Sequence, residues 1–525
     1  MHVVGSFKPS SGSLPAPDVV FDGSRLTVED IQAIASQARA ARLSADPKFR
    51  DAVQAGADFV DRLLAEDGVI YGVTTGYGDS CTVTVPPELI HELPQRLYTY
   101  HGCGAGRMLD DPHVRAVLAV RLVSLCRGRS GVSVALIEQL TALIVHDVLP
   151  RIPSEGSVGA SGDLTPLSYV AAVLCGERQV RHAGLERSAA DALAAVGLRP
   201  LRLRPKEGLA LMNGTAVMTA LACDAFHRAA RLSHLSARLT AMNVVASAGN
   251  ANHFDEALFA VKPHPGQQRV ASWIRADLAS ERPPRNDARL QDRYSLRCAP
   301  HVLGVLEDAL PFFRCLIENE LNSSNDNPII DPESERVLHG GHFYGGHIAF
   351  AMDALKTTVA NVADLLDRQF AILVDTRYNH GLPSNLSGAR PERAAINHGL
   401  KALQISVSAW TAEALKGTMP ASVFSRSTEC HNQDKVSMGT IAARDAIRVL
   451  ELTEQVVAAM VIASRQAVEL RQRRDSVLLS KPMGALFETL KDAVPFVEED
   501  RALDHDLQHV LALLRQDRWP REAVI

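Results

Sequence analysis

The sequence predicts a mainly α-helical protein, with a long central helical bundle and a smaller mixed N-terminal domain. Three observations carry this reading. Aromatic residues are only 5% of the chain against 46% hydrophobic residues in all, so the core is built from aliphatic side chains, which suit helix packing. From Asn213 onward, apolar residues recur at three- and four-residue spacings over unusually long stretches with few breakers. The glycine-rich segments "YGVTTGYGDS", "YHGCGAGRML" and "SEGSVGASGDL" all lie in the N-terminal third, where loops interrupt the helices.

The first thirty residues are a polar lead-in rich in Pro, Ser and Gly. A helical pattern begins at Thr27 in "TVEDIQAIASQARA", opened by a Thr-x-x-Asp start signal. Another begins near Asp163 in "GDLTPLSYVAAVL", with Pro166 tolerated in its first turn. The long helices follow at Thr215–Ser247, Leu303–Asn322, Ile348–Asp375, Leu400–Lys416 and Thr440–Arg473. In the last of these, Ile441, Ile447, Leu450, Val457, Val461 and Val468 share a helical periodicity, and its length is about 50 Å at 1.5 Å per residue. Apolar faces that long are not satisfied inside one subunit, so a bundle of several chains is expected. The segments Glu281–Tyr294 and His380–Arg393 are loops between these helices. The expected domains are 1–212, 213–480 and a helical tail over 481–525.

A net charge of −5 over 525 residues, with a pI near 6.4, gives no basic field for nucleic acid or a membrane surface, so the expected partner is a small molecule. The apolar run "VVAAMVIA" at Val456–Ala463 is far short of the ~20 residues that cross a bilayer. No signal peptide is recognisable, and eight scattered cysteines without a C-x-x-C pair read as reduced thiols of a cytoplasmic protein. His339, His342 and His347 lack a carboxylate or thiolate set at ligand spacing, so no metal is expected. Gly102, Gly104 and Gly106 lack the Lys-Ser/Thr that completes a phosphate loop.

The segment "VGASGDLT" admits two readings. One is a small-residue turn that caps the following helix. The other is an autocatalytic condensation in which the Gly162 amide nitrogen attacks the Ala160 carbonyl carbon. Loss of two waters then turns the Ser161 side chain into an exocyclic methylene. Glycine offers the least hindered amide and permits the bend, alanine leaves its carbonyl approachable, and serine supplies the departing hydroxyl. The product is a 4-methylidene-imidazol-5-one (MIO), an electrophile that needs no metal or dissociable cofactor.

With its companion motifs this segment resembles the aromatic amino-acid ammonia-lyase family, which includes histidine, phenylalanine and tyrosine lyases and the related 2,3-aminomutases. The motifs, in order, are "YGVTTGYG" (71–78), "GASGDLTPLS" (159–168), "GLALMNGT" (208–215), "HPGQ" (264–267), "YSLRCAP" (294–300), "ELNSSNDNP" (320–328) and "HNQDKVSMG" (431–439). The resemblance implies a bundle of the fumarase/aspartase type, an N-terminal domain carrying the MIO loop, and a homotetramer whose sites draw on several chains. It implies that Tyr71, as phenolate, removes the substrate β-proton and that Arg297 clamps the carboxylate, a task suited to its planar fork. Tyr294, Asn213, Asn432 and Gln433 form the polar shell, and Phe343 lies beside the ring. Glu429 precedes Gln433 by four residues, which on a helical stretch places both on one face, and its implied role is to handle the amine.

Ring-end selectivity in this family falls on two adjacent residues, here Tyr100 and His101, a pair that departs from the usual Ser-His, His-Leu and Phe-Leu. His101 favours a ring bearing a polar group, because a buried imidazole facing bare phenyl is left unpaired at about 1–3 kcal/mol. Because "TECHNQDKVSMG" resembles the phenylalanine/tyrosine side of the family, the expected reaction is L-tyrosine to trans-4-coumarate. The alternatives are a histidine or phenylalanine lyase, a tyrosine 2,3-aminomutase, and a noncatalytic scaffold of the same fold.

Overall fold

The computed structural model describes residues 17–66, 68–278 and 290–516. The lead-in up to residue 16 and residues 281–289 of the predicted loop lie outside the described residues. The chain divides into two compact units: residues 1–155, 165–212 and 324–342 form the first, and residues 156–164, 213–323 and 343–525 form the second.

The first unit is mixed. Its helices are α1 (Val28–Ala35), α2 (Pro47–Ala65), α3 (Leu93–Tyr100), α4 (Asp111–Leu125), α5 (Val134–Val145), α6 (Leu164–Leu174, entering this unit at Thr165), α7 (Ala189–Ala195) and α8 (Glu207–Met212). The predicted start at Thr27 is a capping box, in which the Thr27 side chain accepts from Asp30 N and the Asp30 carboxylate accepts from Thr27 N. The helix stops at Ala35, short of the apolar pattern, where Ser36 caps it and Gln37 turns left-handed at φ 58°. Short strands complete the unit: Val19–Phe21 pairs in parallel with Ala41–Leu43, and antiparallel ladders join Ala105–Met108 to Pro153–Glu155, Leu149–Pro150 to Gln179–His182 and on to Leu185–Ser188, and Ile329–Asp331 to Arg336–Leu338. A buried ion pair, Lys206 Nζ to Asp326 Oδ2 at 2.8 Å, ties the start of α8 to the 324–342 segment.

The second unit is the bundle. It comprises α9 (Ala216–Ala246), α10 (Glu256–Ala260), α11 (Pro265–Leu278), α12 (Tyr294–Arg297), α13 (Ala299–Leu321), α14 (Gly346–Val374), α15 (Lys401–Lys416), α16 (Gly439–Asp475), α17 (Lys481–Ala493) and α18 (Asp504–Arg515). All five long helices begin and end within four residues of the sequence expectation. Helices α9, α14 and α16 pack on one another, and the stretch Val456–Ala463 of α16 is buried all round, as a central bundle helix must be. The small residues Ala458, Ala459 and Ala463 of this stretch are fully buried.

A polar network fixes the register of these three helices. Asn243 on α9 donates to Gln369 Oε1 on α14 at 2.8 Å, and Ser464 on α16 donates to Asn243 Oδ1 at 2.7 Å. Gln369 Nε2 donates in turn to Thr240 and to the Ser295 carbonyl, both at 2.9 Å, which anchors α12 to the bundle. The ends of the network therefore reach the short helix that carries Tyr294 and Arg297.

Candidate active site

Residues 156–164 pack within the bundle unit, although the sequence carries them in its N-terminal part. The reason is a set of hydrogen bonds to the start of α9 and the segment before α16. Asp163 N donates to Gly214 O at 2.7 Å, and Gly162 and Gly214 form an isolated parallel bridge. Val217 N and Met218 N both donate to Asp163 Oδ2 at 2.9 Å. On the other side, Ser437 N and Ser437 Oγ donate to Gly159 O at 3.2 and 3.0 Å, and Met438 N donates to Val158 O at 3.0 Å. Gln433 Nε2 donates to Ser161 Oγ at 3.3 Å.

This turn fits a ring built from residues 160–162. Gly162 lies in the left-handed region at φ 75°, and a Cβ there would stand 2.1 Å from the Gly214 carbonyl oxygen. No larger residue is accommodated at the position whose amide would have to reach the Ala160 carbonyl for such a ring to form. Asp163 is fully buried, and burial pushes its carboxyl up to about 6 in spite of four donors that favour the charged form.

Glu429, Asn432 and Gln433 do not lie on a helix, so the expectation that Glu429 and Gln433 share a helical face is corrected. Thr428 and Gln433 pair through backbone bonds of 3.0 and 3.2 Å and close a turn in which Glu429, Cys430 and His431 are all left-handed, at φ 52°, 52° and 66°. Side chains pin the turn: Thr428 Oγ1 donates to Gln433 Oε1 and Asn432 Nδ2 to Glu429 Oε2, at 2.8 and 2.9 Å. Each left-handed non-glycine residue costs roughly 1–2 kcal/mol, so this conformation is held by its surroundings.

Arg297 and Tyr294 form a pair of their own on α12. The guanidinium lies 4.6 Å from the Tyr294 ring centroid, its Nε donates to the Asp292 carbonyl at 3.1 Å, and Tyr294 is 72% exposed. Asn213 is buried immediately before the bridging Gly214, and Phe343 is half-buried in the turn that precedes α14.

In the first unit, Tyr71 Oη accepts from Gly78 N at 2.7 Å, and the ring meets His339 edge-on at 6.3 Å. Tyr100 lies on His101 with ring centroids 4.5 Å apart, and burial lowers the His101 imidazole to about 4. Tyr77 is placed against Gly72, where a Cβ would stand 2.9 Å from its ring. Its hydroxyl is buried without a hydrogen-bond partner, electrostatically coupled to Tyr100 and Tyr71, and burial raises its pKa.

The structure thus brings Ser161 together with Gln433 and with the Asn213–Gly214 segment. The sequence reading missed Asp163 as a site residue, together with Ser157, Ser437, Thr440 and Tyr77. Among the described residues no group of acidic, histidine or cysteine side chains could hold a metal ion, and no helix is long and apolar enough to cross a membrane.

Residues 26–492 match the family described as aromatic amino acid lyase. The chain is 37% identical over 501 residues to a histidine ammonia-lyase of Gloeobacter violaceus, covering 94% of this chain and 95% of that protein. It is 35% identical to a histidine ammonia-lyase of Bacillus velezensis, covering 95% and 96%. Its fold is similar to that of a tyrosine aminomutase from Streptomyces globisporus, with a TM-score of 0.88, 33% identity, and coverage of 95% and 97%. With a match across most of its length, a helical bundle of the same fold and a glycine-locked Ala-Ser-Gly turn, this chain belongs to the aromatic amino acid lyase family and is an ammonia-lyase acting on an aromatic amino acid.

Proposed function

We propose that the chain eliminates ammonia non-oxidatively from L-histidine to give trans-urocanate. This replaces L-tyrosine, the expectation drawn from His101 and "TECHNQD", because the whole-length similarity to histidine ammonia-lyases favours the imidazole substrate. That similarity carries the proposal, and His101, which burial keeps neutral at pH 7, agrees with it, because its ring offers one donor and one acceptor to a polar substrate ring, imidazole or phenol. The unpaired Tyr77 hydroxyl supports a polar ring as well. A bare phenyl ring would leave both groups unsatisfied. The similarity to a tyrosine aminomutase makes tyrosine, by elimination or by 2,3-migration, the second reading.

The roles follow from the chemistry of each side chain. Gly78 N donates to Tyr71 Oη, a bond that strengthens as the oxygen gains charge, and this supports Tyr71 as the phenolate that takes the β-proton. Arg297 binds the carboxylate through its fork, with Tyr294 holding the guanidinium in place from its ring face. Gln433 and Asn213 orient the 160–162 turn and the amine, Asn432 fixes the Glu429 carboxylate, and Glu429 receives the proton of the amine. Phe343 packs beside residues 160–162, and Tyr100 with His101 contacts the substrate ring. The MIO group formed from Ala160, Ser161 and Gly162 supplies an electrophilic carbon to which an amine adds.

Exposed apolar side chains on three bundle helices, Phe312 on α13, Phe350 on α14 and Ile405 on α15, support self-association with further copies of the chain as a homotetramer. The cytoplasm is the proposed compartment.

The test is a panel of histidine, tyrosine, phenylalanine and DOPA, with urocanate and coumarate followed by ultraviolet absorbance and β-tyrosine by chromatography. Urocanate from histidine, with kcat/KM at least about tenfold above that for tyrosine, is the expected result, a ratio equivalent to one hydrogen bond. Coumarate or β-tyrosine as the main product overturns it.

A further inference from the structure

We propose that Thr440, together with Ser437, is a positioning residue for closure of the 160–162 ring, stapling the two sides of the turn into the bend from which the ring forms. The inference deepens the reading that residues 160–162 form the prosthetic group, and it rests on that reading.

Thr440, in the first turn of α16, is buried, and its side chain touches both sides of the turn at once. Its hydroxyl donates to Asp163 Oδ1, just after the condensing residues, and lies 3.2 Å from Ser157 Oγ, just before them. Ser157 continues the circuit: it accepts from Gly159 N at 3.2 Å, lies 3.2 Å from Asp163 Oδ1, and approaches Gly162 O at 3.4 Å. Three residues earlier on the same segment, Ser437 grips the Gly159 carbonyl with both its amide and its hydroxyl. Gly159 is left-handed at φ 66°, and a Cβ there would stand 2.3 Å from Ser437 Oγ, so a side chain would force the clamp open. Between the two clamps, Met438 is itself left-handed at φ 62°, a strained non-glycine conformation immediately before the helix that aims its amide, with that of Ser437, at the turn.

Closure forms the bond from Gly162 N to the Ala160 carbonyl carbon. The carbonyl oxygen leaves as water with the protons of Gly162 N and Ser161 N, and the Ser161 hydroxyl leaves as a second water with the Ser161 Cα hydrogen. No redox partner is needed. The intrinsic difficulty is holding an amide nitrogen against a carbonyl two residues earlier, a geometry that a free loop visits rarely. Anchoring residues 157, 159 and 163 on one rigid segment removes that conformational search before the bond forms.

The test is intact mass of the denatured polypeptide, followed over time after synthesis, for the full chain and for Thr440→Val, Thr440→Ser and Ser437→Ala, with folding monitored by circular dichroism and size-exclusion chromatography. The parent chain is expected to lack the mass of two waters. Thr440→Ser keeps the hydroxyl and should match it. Thr440→Val and Ser437→Ala should close about tenfold or more slowly in the folded fraction, the loss worth one hydrogen bond. A purely structural role would lower the thermal midpoint without leaving folded polypeptide at the full mass. If Thr440→Val does not fold, Ser437→Ala alone decides. Folded variants that close at the parent rate overturn the proposal. A parent chain at full mass overturns the underlying reading of residues 160–162 instead.

Discussion

Replacing His101 by leucine should remove a pH dependence of stability whose size follows from its burial. In the folded protein the imidazole titrates at about 4 and in the unfolded chain at about 6.5. Between these values the unfolded chain binds a proton that the folded protein does not, so acid stabilises the unfolded state. The stability is fully present above pH 6.5 and is lost as the pH falls toward 4. Between pH 7.5 and pH 5.0 the loss from this one residue is about 2 kcal/mol. Asp163 acts in the opposite sense. Its carboxyl is raised to about 6 from 3.8, so the folded protein takes up the proton first and gains about 1.4 kcal/mol over the same interval. The two contributions largely cancel in the parent chain, so only the difference between parent and variant isolates His101. Urea unfolding at fixed protein concentration should show His101→Leu losing about 2 kcal/mol less than the parent between the two pH values. Equal losses would mean that His101 is protonated in the folded protein near its ordinary pKa, and the neutral-imidazole argument for a polar substrate ring would fail with it.

Tyr71→Phe should lower kcat by roughly 10²–10⁴-fold, the usual contribution of a general base, while the intact mass still lacks two waters. Arg297→Lys should raise KM about tenfold with a smaller effect on kcat, because a single ammonium replaces a two-pronged contact, as steady-state kinetics will show. Asn243→Leu leaves Gln369 Oε1 and the Ser464 hydroxyl without their bundle partners and should cost about 3 kcal/mol in denaturant unfolding. Gly162→Ala meets both the Gly214 carbonyl and an unfavourable φ and should yield full-mass polypeptide with a lowered thermal midpoint, seen by mass spectrometry and calorimetry.

The bundle was legible in the sequence because its signal is redundant. Over the 31 residues of α9 or the 37 of α16, the apolar period is repeated so often that single departures do not shift the assignment, and the boundaries fall where Ser247, Asn322 and Lys416 suggest. Where the signal is short it misleads. The apolar pattern after Thr27 runs on to Ala40, yet the helix stops at Ala35, because the left-handed Gln37 breaks it and Ala41–Leu43 is drawn into a strand with Val19–Phe21. A spacing of four from Glu429 to Gln433 is equally compatible with one helical face and with a turn closed by Thr428. The competing interaction is a backbone pair, which leaves no mark in residue type.

The same contrast governs the site. Ala160, Ser161 and Gly162 are legible because the proposed ring closure demands those residue types in that order, whatever surrounds them. Asp163 and Thr440 were not, because aspartate before a helix and threonine in a first helical turn are ordinary, and their meaning comes only from a contact across 277 residues of sequence. His101 lies between these cases. Its identity names a group able to pair with imidazole or phenol, whereas its charge is a property of burial, which depends on packing and not on its neighbours in sequence. A protonated His101 would repel a cationic substrate ring and attract a phenolate, and a neutral one accepts either ring in its uncharged form. Burial that lowers the imidazole to about 4 therefore removes the one electrostatic reason for tyrosine to exclude histidine, and leaves the choice between them to shape and to hydrogen bonds at the ring end.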